Sequence, residues 1–439
     1  SYWTQARETS RHHIKPTSYL DGLRGFAALL VFSQHHVGWA HPGLWFIEDA
    51  YGSNGHRCFA MLPGIRLLFT GGHAAVAIFF VISGYVLALT GLKLIQKRDT
   101  AKLPDHLGSA LFRRWIRLFL PVALTTLAFA TSWHVFGIQS ASGIHLVPEK
   151  YYKDELWRWY ADFKNYSYIF HGMCWNAYND HAWSIPYEMR GSVVVWTVLL
   201  AVSNCRTGMR LALEAVLAFY FIYIVDGWYC AAFMVGMLLC DIDLLAAKDQ
   251  LPTLIRRLRP LDKKAVHYVL LVLGLFLSGC PSLSDKVEEF RQQPGWYFLS
   301  YLKPQAVFDL RWFYRLWGAA FLLIAIPKIP WSRRFFETNF CQYLGKISYS
   351  LYLIHGPLLW TVGDRLYAAT GRPRAAANIN TEWVNRFTLP DWGIPFWELN
   401  YLIPFFLLMV ISFWVAELTT WLVDDVSVKC ARKIYEYSI

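Results

Sequence analysis

The sequence predicts an all-α fold, a polytopic transmembrane bundle of about ten helices, and three observations support it. Apolar runs of roughly 20 residues, long enough to cross a bilayer, recur along the chain. Charged residues make up 17% of the 439 residues, against about 25% in average proteins, and 55% are hydrophobic. Basic residues concentrate in alternate connecting segments, as in multi-pass membrane proteins. With no internal repeat and no separate polar region, residues 1–439 are expected to form one domain.

The apolar runs predict the positions of the ten helices. These are residues 22–40, 74–92, 118–137, 183–203, 211–226, 228–244, 265–281, 312–327, 341–362 and 397–423. Residues 1–19 are polar and basic and have no features of a cleavable signal peptide. The first helix is therefore expected to act as its own insertion signal.

The distribution of positive charge predicts that both termini lie in the cytosol of an endomembrane or plasma-membrane protein. Basic residues are dense around 93–117, 248–264 and 328–334, which would share the side of the N-terminus. The long connections at 41–73, 138–182, 282–311 and 363–396 also carry acidic residues and are expected on the opposite side. Because this bias explains the net charge of +11, nucleic acid is not an expected partner.

The cysteines and one glycosylation sequon give information about the connections expected on the non-cytosolic side. The eight cysteines show no CxxC spacing, so no metal site is expected. Cys58 and Cys174 fall in long connections on that side, where they could form a disulfide or stay as free thiols. Asn165, in the sequence Asn-Tyr-Ser, begins a glycosylation sequon in one of the same connections.

The first helix combines an apolar run with titratable residues that are costly in a bilayer, in the segment LDGLRGFAALLVFSQHH. Arg24 and His35 are 11 residues apart, about three turns, so they project from one face about 16 Å apart along the axis. Asp21 is placed to pair with Arg24, whereas His36 is rotated about 100° from that face. Arg24 could reach lipid phosphates and the histidines could bond inside the bundle. Imidazole is also the commonest general base.

Two further segments precede the fourth helix. In FRRWIRLFLP, Arg113 and Arg117 share one helix face and Arg114 borders it, which predicts a phosphate site, with lipid headgroups as the alternative ligand. In FFVISGYVLAL, Gly84 allows another backbone to approach closely.

The fourth and ninth helices each carry polar residues. In HAWSIPYEMRGS, Ser184 marks a helix start before a proline, and Glu188 lies one turn inside, where a structural ion pair is the alternative to a functional role. In LGKISYSLYLIHGP, Ser348, Tyr352 and His355 recur at i, i+4 and i+7 and form one polar stripe.

Five of these segments resemble, in the same order, the blocks of the acyltransferase-3 superfamily of integral membrane acyltransferases. They are LDGLRGFAALLVFSQHH, FFVISGYVLAL, RRWIRLFLP, WSIPYE and LGKISYSLYLIHGP. The most specific feature is an arginine followed after ten residues by a histidine, here Arg24 and His35. The matching blocks run from about residue 18 to 423, and the context of the second block is similar to the fungal branch. The esterase-like domain that many bacterial relatives append is not expected here.

The resemblance implies an enzyme that moves an acyl group, commonly acetyl, from cytosolic acyl-CoA to a hydroxyl of a glycan, lipid or secondary metabolite. It implies His35 as general base, assisted by Arg24, Glu188 and Asp21. The expected donor-binding residues are Arg113, Arg114, Arg117, Arg24, Ser83 and Tyr85. The expected acceptor-site or polar-core residues are His355, Tyr352, Ser348, Tyr349, Trp183, Ser184 and His36. Acyl-CoA is expected as co-substrate, with no bound cofactor and no metal.

The residues leave two other classes open. A proton-coupled transporter would also use intramembrane His, Glu and Arg, although the two halves of the sequence show no repeat of the kind many transporters have. A non-catalytic membrane sensor would not need all five blocks together. Neither the acceptor nor the oligomeric state is indicated by the sequence.

Overall fold

The computed structural model describes residues 16–138, 140, 147–170, 172, 174–257, 264–283, 285–374 and 382–438. These residues form helices and connecting turns, with no strand among them. The all-α prediction is therefore confirmed. The helices of at least 13 residues are α1 (Ser18–Ala40), α2 (Gly72–Gln96), α3 (Leu103–Phe136), α4 (Tyr152–Ser167), α5 (Ser184–Ala201), α6 (Thr207–Phe219), α7 (Trp228–Ala247), α8 (Lys264–Ser278), α9 (Leu310–Ala325), α10 (Asn339–Leu358), α11 (Leu399–Thr419) and α12 (Asp425–Ser438). Shorter helices are Leu67–Thr70, Thr253–Arg257, Val287–Arg291, Pro330–Phe336 and Asp364–Ala369.

Each of the ten predicted spans coincides with one of these helices, but several bounds differ. α3 begins at Leu103 rather than at 118, because its first turns are polar and carry no apolar signal. Single π-helical segments follow α6, α10 and α11, at Tyr220–Ile224, Leu359–Gly363 and Thr420–Asp424. α4 lies in a long connection and is too polar to have been predicted as a span.

Five helical segments are long and apolar enough to cross a membrane, and a sixth qualifies if the pair Leu310–Lys328 and Pro330–Phe336, bent by 102°, counts as one span. This count concerns the described residues, and the predicted number of ten stays a prediction. Apolar side chains face outwards on several helices, as with Val216 at 60%, Val272 at 65% and Trp414 at 67% exposure. An outward apolar surface of this kind suits contact with lipid.

Glycines bring two helix pairs into backbone contact. A Cβ atom added at Gly25 of α1 would lie 2.2 Å from the backbone nitrogen of Gly345 in α10. A Cβ atom added at Gly84 of α2 would lie 2.0 Å from the carbonyl oxygen of Phe233 in α7. The close approach predicted at Gly84 is therefore confirmed. α1 and α10 run parallel, so residues at corresponding heights on the two helices lie side by side.

An ion-pair network ties the end of α1 to the connection before α11. Nε2 of His41 lies 3.0 Å from Oε2 of Glu398, and Arg372 lies 3.2 Å from the same oxygen. Burial alone would raise the pKa of the Glu398 carboxyl, but the hydrogen bond with His41 and the neighbouring positive charges outweigh it and hold the pKa at about 2. The network fixes the position of α1 in the bundle.

The two cysteines of the long connections are free thiols in the structure, Cys58 partly exposed and Cys174 buried. Of the two alternatives that the sequence left open, the structure therefore contains the unpaired form.

Candidate active site

A cavity of about 240 Å³ lies where α1, α2, α3, α5 and α10 meet. Four basic side chains line it, together with two carboxylates. The basic residues are Arg24, Arg114, Arg117 and Lys346, and the acidic ones are Glu188 and Asp424. Lys346 and Asp424 were not among the predicted site residues, because neither stands out from its own helix before the fold brings the helices together.

Arg24 reaches this cavity because α1 and α10 touch. Its Nη2 atom donates to the carbonyl oxygen of Gly345 at 3.2 Å, a contact that the adjacent glycine crossing makes possible. It also pairs with Asp21 at 3.3 Å, as the spacing predicted. Asp21 itself does not line the cavity, so the structure gives it the role of a partner for Arg24.

Glu188 is held in an ion pair on the cavity wall. Nη2 of Arg114 lies 2.5 Å from Oε1 of Glu188, and the Ser83 hydroxyl donates to the same oxygen at 2.5 Å. Nε of Arg114 donates to the Ser192 hydroxyl at 3.1 Å. This is the structural ion pair that the sequence left open for Glu188, and it neutralises the carboxylate beside the cavity.

Arg117 differs from its neighbours in having no such partner. Its side chain is exposed, lines the cavity, and makes no hydrogen bond or ion pair with any residue the structure describes. Arg113 lies outside the cavity, and its Nε donates to the Ser109 carbonyl of its own helix at 3.1 Å. Tyr85 also lies outside and donates to Asp243 at 3.1 Å. Of the predicted donor residues, the structure brings together Arg24, Ser83, Arg114 and Arg117.

The inner wall of the cavity is built from hydroxyl groups of α5 and α10. The Ser184 hydroxyl lies 2.7 Å from the Tyr352 hydroxyl, which donates to the backbone oxygen of His181. Ser348 and Tyr349 line the cavity beside them, and Tyr349 donates to the carbonyl oxygen of Leu118. Of the polar stripe predicted on the ninth helix, Ser348 and Tyr352 line the cavity, whereas His355 lies behind them.

Three histidine rings lie together behind this wall. The ring centroid of His35 is 3.8 Å from that of His181 and 5.2 Å from that of His355, and the last two are 4.7 Å apart. His181 was missed by sequence reasoning, although it stands three residues before Ser184 in a segment already singled out. The helical phase that favoured His35 over His36 agrees with this arrangement.

The hydrogen bonds of His355 define its tautomer. Its Nδ1 lies 2.8 Å from the carbonyl oxygen of Tyr352, and a carbonyl can only accept. The proton of a neutral ring is therefore on Nδ1, and Nε2 keeps a lone pair. That Nε2 is buried and has no hydrogen-bond partner among the described residues, so it is free to accept a proton.

Tyr352 connects the cavity with the three histidines. It lines the cavity, its ring centroid is 5.9 Å from that of His355, and its hydroxyl bonds the backbone of His181. The histidines do not line the cavity themselves. A group at the inner end of the cavity would contact these hydroxyls, with the imidazoles behind them.

Two other predicted residues lie elsewhere. Nδ1 of His36 is 3.0 Å from the hydroxyl of Tyr367, on another face of α1. Trp183 packs against Trp312, with ring centroids 5.9 Å apart. The structure does not bring either residue to the cavity.

The histidines are also the group of described residues that could hold a metal ion, since one nitrogen of each lies within 4.8 Å of the others. The rings of His181 and His355 are stacked, with 10° between their planes. The expectation of no metal at this group stays a prediction.

Comparison with known proteins places these features in a family context. The family model Acyl_transf_3, described as an acyltransferase domain, matches residues 17–421. The O-acetyltransferase PaAT-1 of Phomopsis amygdali is 28% identical, over 96% of this chain and 87% of its own. The acyltransferases clz18 of Cochliobolus lunatus and R4 of a Phoma species are 24% and 23% identical, each over 80% of this chain and 84% of its own. No solved structure matches the chain.

Proposed function

Since the chain belongs to the acyltransferase-3 family of membrane-associated enzymes, we propose that it is an O-acyltransferase that moves an acetyl group from acyl-CoA to a hydroxyl of a glycan, lipid or secondary metabolite. One observation carries the proposal. A cavity lined by basic side chains ends at hydroxyl groups, and one of them, on Tyr352, bonds the backbone of His181 in a cluster of three histidines. The name of the relative PaAT-1 supports acetyl as the group transferred.

The cavity suits the reactive end of acyl-CoA. Its volume of about 240 Å³ is below the roughly 300–1,000 Å³ of pockets that enclose drug-sized ligands, so the pantetheine arm and thioester enter and the nucleotide stays outside. The phosphates bind Arg117 and Lys346, whose side chains line the cavity and form no hydrogen bond or ion pair with a described residue. The thioester then lies near Tyr352. This phosphate-binding character favours an enzyme over the proton-coupled transporter.

His35 acts as the general base. It takes the proton of the acceptor hydroxyl as that oxygen attacks the thioester carbonyl. A carbon–oxygen bond forms, the carbon–sulfur bond breaks, and the CoA thiolate leaves and takes up the proton. When the thioester binds, the hydroxyls of Tyr352 and Ser184 exchange their present hydrogen bonds for bonds to its carbonyl oxygen and stabilise the negative charge there. His355 and His181 lie in contact with the His35 ring and share the proton. An acyl-histidine intermediate is the variant in which His35 attacks first.

The bundle crosses the membrane several times, with both termini and the mouth of the cavity on the cytosolic side. The parallel course of α1 and α10 supports this arrangement, because the first and ninth of ten alternating spans run in the same direction. Arg24 then lies at the cytosolic end of α1 and His35 towards the opposite end.

Acceptor-dependent release of CoA tests the proposal. Purified protein in detergent is incubated with acetyl-CoA and fractions of an extract from cells that lack the protein, and free thiol is measured. We expect one or more fractions to stimulate thiol release and to gain labelled acetyl groups, with His35→Ala protein as the matched control. Folded protein that binds acetyl-CoA but transfers label to no fraction would contradict the proposal.

A further inference from the structure

Three buried polar side chains with unused hydrogen-bonding atoms lie near each other where α8 ends against α9. Arg315, in the second turn of α9, is 3% exposed and makes no hydrogen bond or ion pair with any described residue. Its guanidinium lies over the ring of Trp312, 5.4 Å from the centroid. Arg66 is also 3% exposed. Its Nη2 donates to the carbonyl oxygens of Ile47 and Glu48, at 3.2 and 3.1 Å, whereas its Nε has no acceptor. The Oγ of Ser278, the last residue of α8, is buried without a partner as well.

Close packing places these groups side by side. A Cβ atom added at Gly318, one turn beyond Arg315, would lie 2.6 Å from the Oγ of Ser278. A Cβ atom added at Gly279, the residue after Ser278, would lie 3.0 Å from Cδ of Arg66. Ser278 therefore lies close to Arg66 and against the turn of α9 that follows Arg315.

The carboxylates near this cluster are already engaged. Asp309 forms two hydrogen bonds of 2.7 Å with the guanidinium of Arg311, one turn before Arg315. The carboxylate of Glu48 accepts from the hydroxyl of Ser282. Neither carboxylate forms a hydrogen bond or an ion pair with Arg315 in the described part of the chain.

A guanidinium group only donates and stays charged, and leaving it buried and unpaired is expensive. The group that complements this cluster must accept several hydrogen bonds and carry negative charge. A carboxylate fits, because its two oxygens match the planar fork of arginine and it is small enough for a closely packed interior.

The cluster is connected to the catalytic histidines. Gln34, next to His35 in α1, bonds Nδ1 of His73 at 3.2 Å. The ring of His73 is 6.0 Å from that of Trp312, whose face Arg315 covers. These contacts lead from Arg315 past Trp312 and His73 to Gln34, the residue before His35.

We infer that Arg315, Arg66 and Ser278 bind the carboxylate of the acceptor, so that the acceptor is a hydroxy acid whose hydroxyl is directed to His35. The assignment of this carboxylate to the acceptor rests on the proposed function. The binding of a carboxylate by the cluster does not, and is tested by stability instead of turnover.

The test measures the melting temperature of full-length protein in detergent with benzoate, with its neutral analogue benzamide, or with added chloride, at constant ionic strength. We expect near-saturating benzoate to raise Tm by about 2–8 °C and benzamide to have no effect. In Arg315→Met protein, the benzoate shift disappears. Without ligand, that variant melts at a higher temperature than wild type, because an unpaired buried charge is replaced by an apolar side chain of similar length. The matched control is Arg291→Gln, a partly exposed arginine of a neighbouring connection, which should keep the shift.

The outcomes separate the possible explanations. A lower Tm of ligand-free Arg315→Met with an unchanged benzoate shift would overturn the inference, since Arg315 would then have a structural partner. A shift that chloride produces as well as benzoate would assign the cluster to a small inorganic anion and not to the acceptor. If benzoate binds through Arg315 in protein that transfers no acetyl group, the carboxylate site stands and the proposed function fails.

Discussion

The role of Arg117 in donor binding can be tested with a matched control, because a similar arginine lies one turn away on the same helix. Arg117→Ala removes a charge-assisted phosphate contact worth about 1.5–3 kcal/mol, so the KM for acetyl-CoA should rise roughly tenfold or more. Arg113→Ala is the matched control, since Arg113 lies outside the cavity and bonds its own helix. Steady-state kinetics of both variants give the comparison. An equal or larger rise for Arg113→Ala would show that the cavity does not bind the donor.

The roles of single residues were only partly predictable from the sequence. Spacing paired Arg113 with Arg117, whereas the fold brings Arg114 and Arg117 to the cavity. Sequence periodicity gives the relative directions of side chains on one helix. It does not give the rotation of that helix against its neighbours, because an apolar face can contact either lipid or protein. The same phase argument succeeded for His35 and His36 because both lie on α1 and only their relative directions mattered.

At the scale of helices, the long apolar segments were predictable and their contacts were not. The lengths of the apolar runs predicted all ten helices, because each run is a local feature of the sequence. The contact of α1 with α10, and hence of His35 with His355, joins residues 320 positions apart and depends on glycines at the crossing. His181 was missed for a related reason, since it lies in the short 3-10 turn Asp180–Trp183, outside any periodic pattern.

Gly84 tests whether the glycine contacts hold the bundle together. In Gly84→Leu protein, the new side chain meets the backbone of α7, where even a Cβ atom would lie 2.0 Å from the Phe233 oxygen. Overpacking usually costs about 1–3 kcal/mol and more where backbones must separate, so Tm and the yield of folded protein should fall. Gly108→Ala in α3 meets no atom within 4 Å and should be neutral or slightly stabilising. A wild-type Tm for Gly84→Leu would contradict the close contact of α2 with α7.

At the scale of the whole molecule, the cavity and the three histidines lie at different heights of the bundle. α1 and α10 run parallel, so both carry their cavity residues, Arg24 and Lys346, towards one end and their histidines towards the other. α2 runs in the opposite direction, with His73 beside Gln34 and Ser83 beside the cavity. A donor arriving at one end and an acceptor at the other would meet at Tyr352.

The sequon at Asn165 tests the orientation of this arrangement. Asn165 is exposed near the end of α4, in a connection that the charge pattern places on the non-cytosolic side. Protein made in the secretory pathway should carry a glycan that a glycosidase removes and that Asn165→Gln abolishes. The connection should also resist protease in sealed vesicles whose cytosolic face is outside. Cleavage there from the cytosolic face would invert the proposed topology.

The central claim is that His35 removes the proton from the acceptor, and turnover of two neighbouring histidine variants tests it most directly. Loss of a general base costs about 10²–10⁴-fold, so His35→Ala should lower kcat by that factor with acetyl-CoA binding little changed. His36→Ala should lose much less, because the His36 ring bonds Tyr367 away from the cavity. The prediction is met if only the first variant loses turnover. Near-wild-type kcat in His35→Ala, or a greater loss in His36→Ala, would contradict the account.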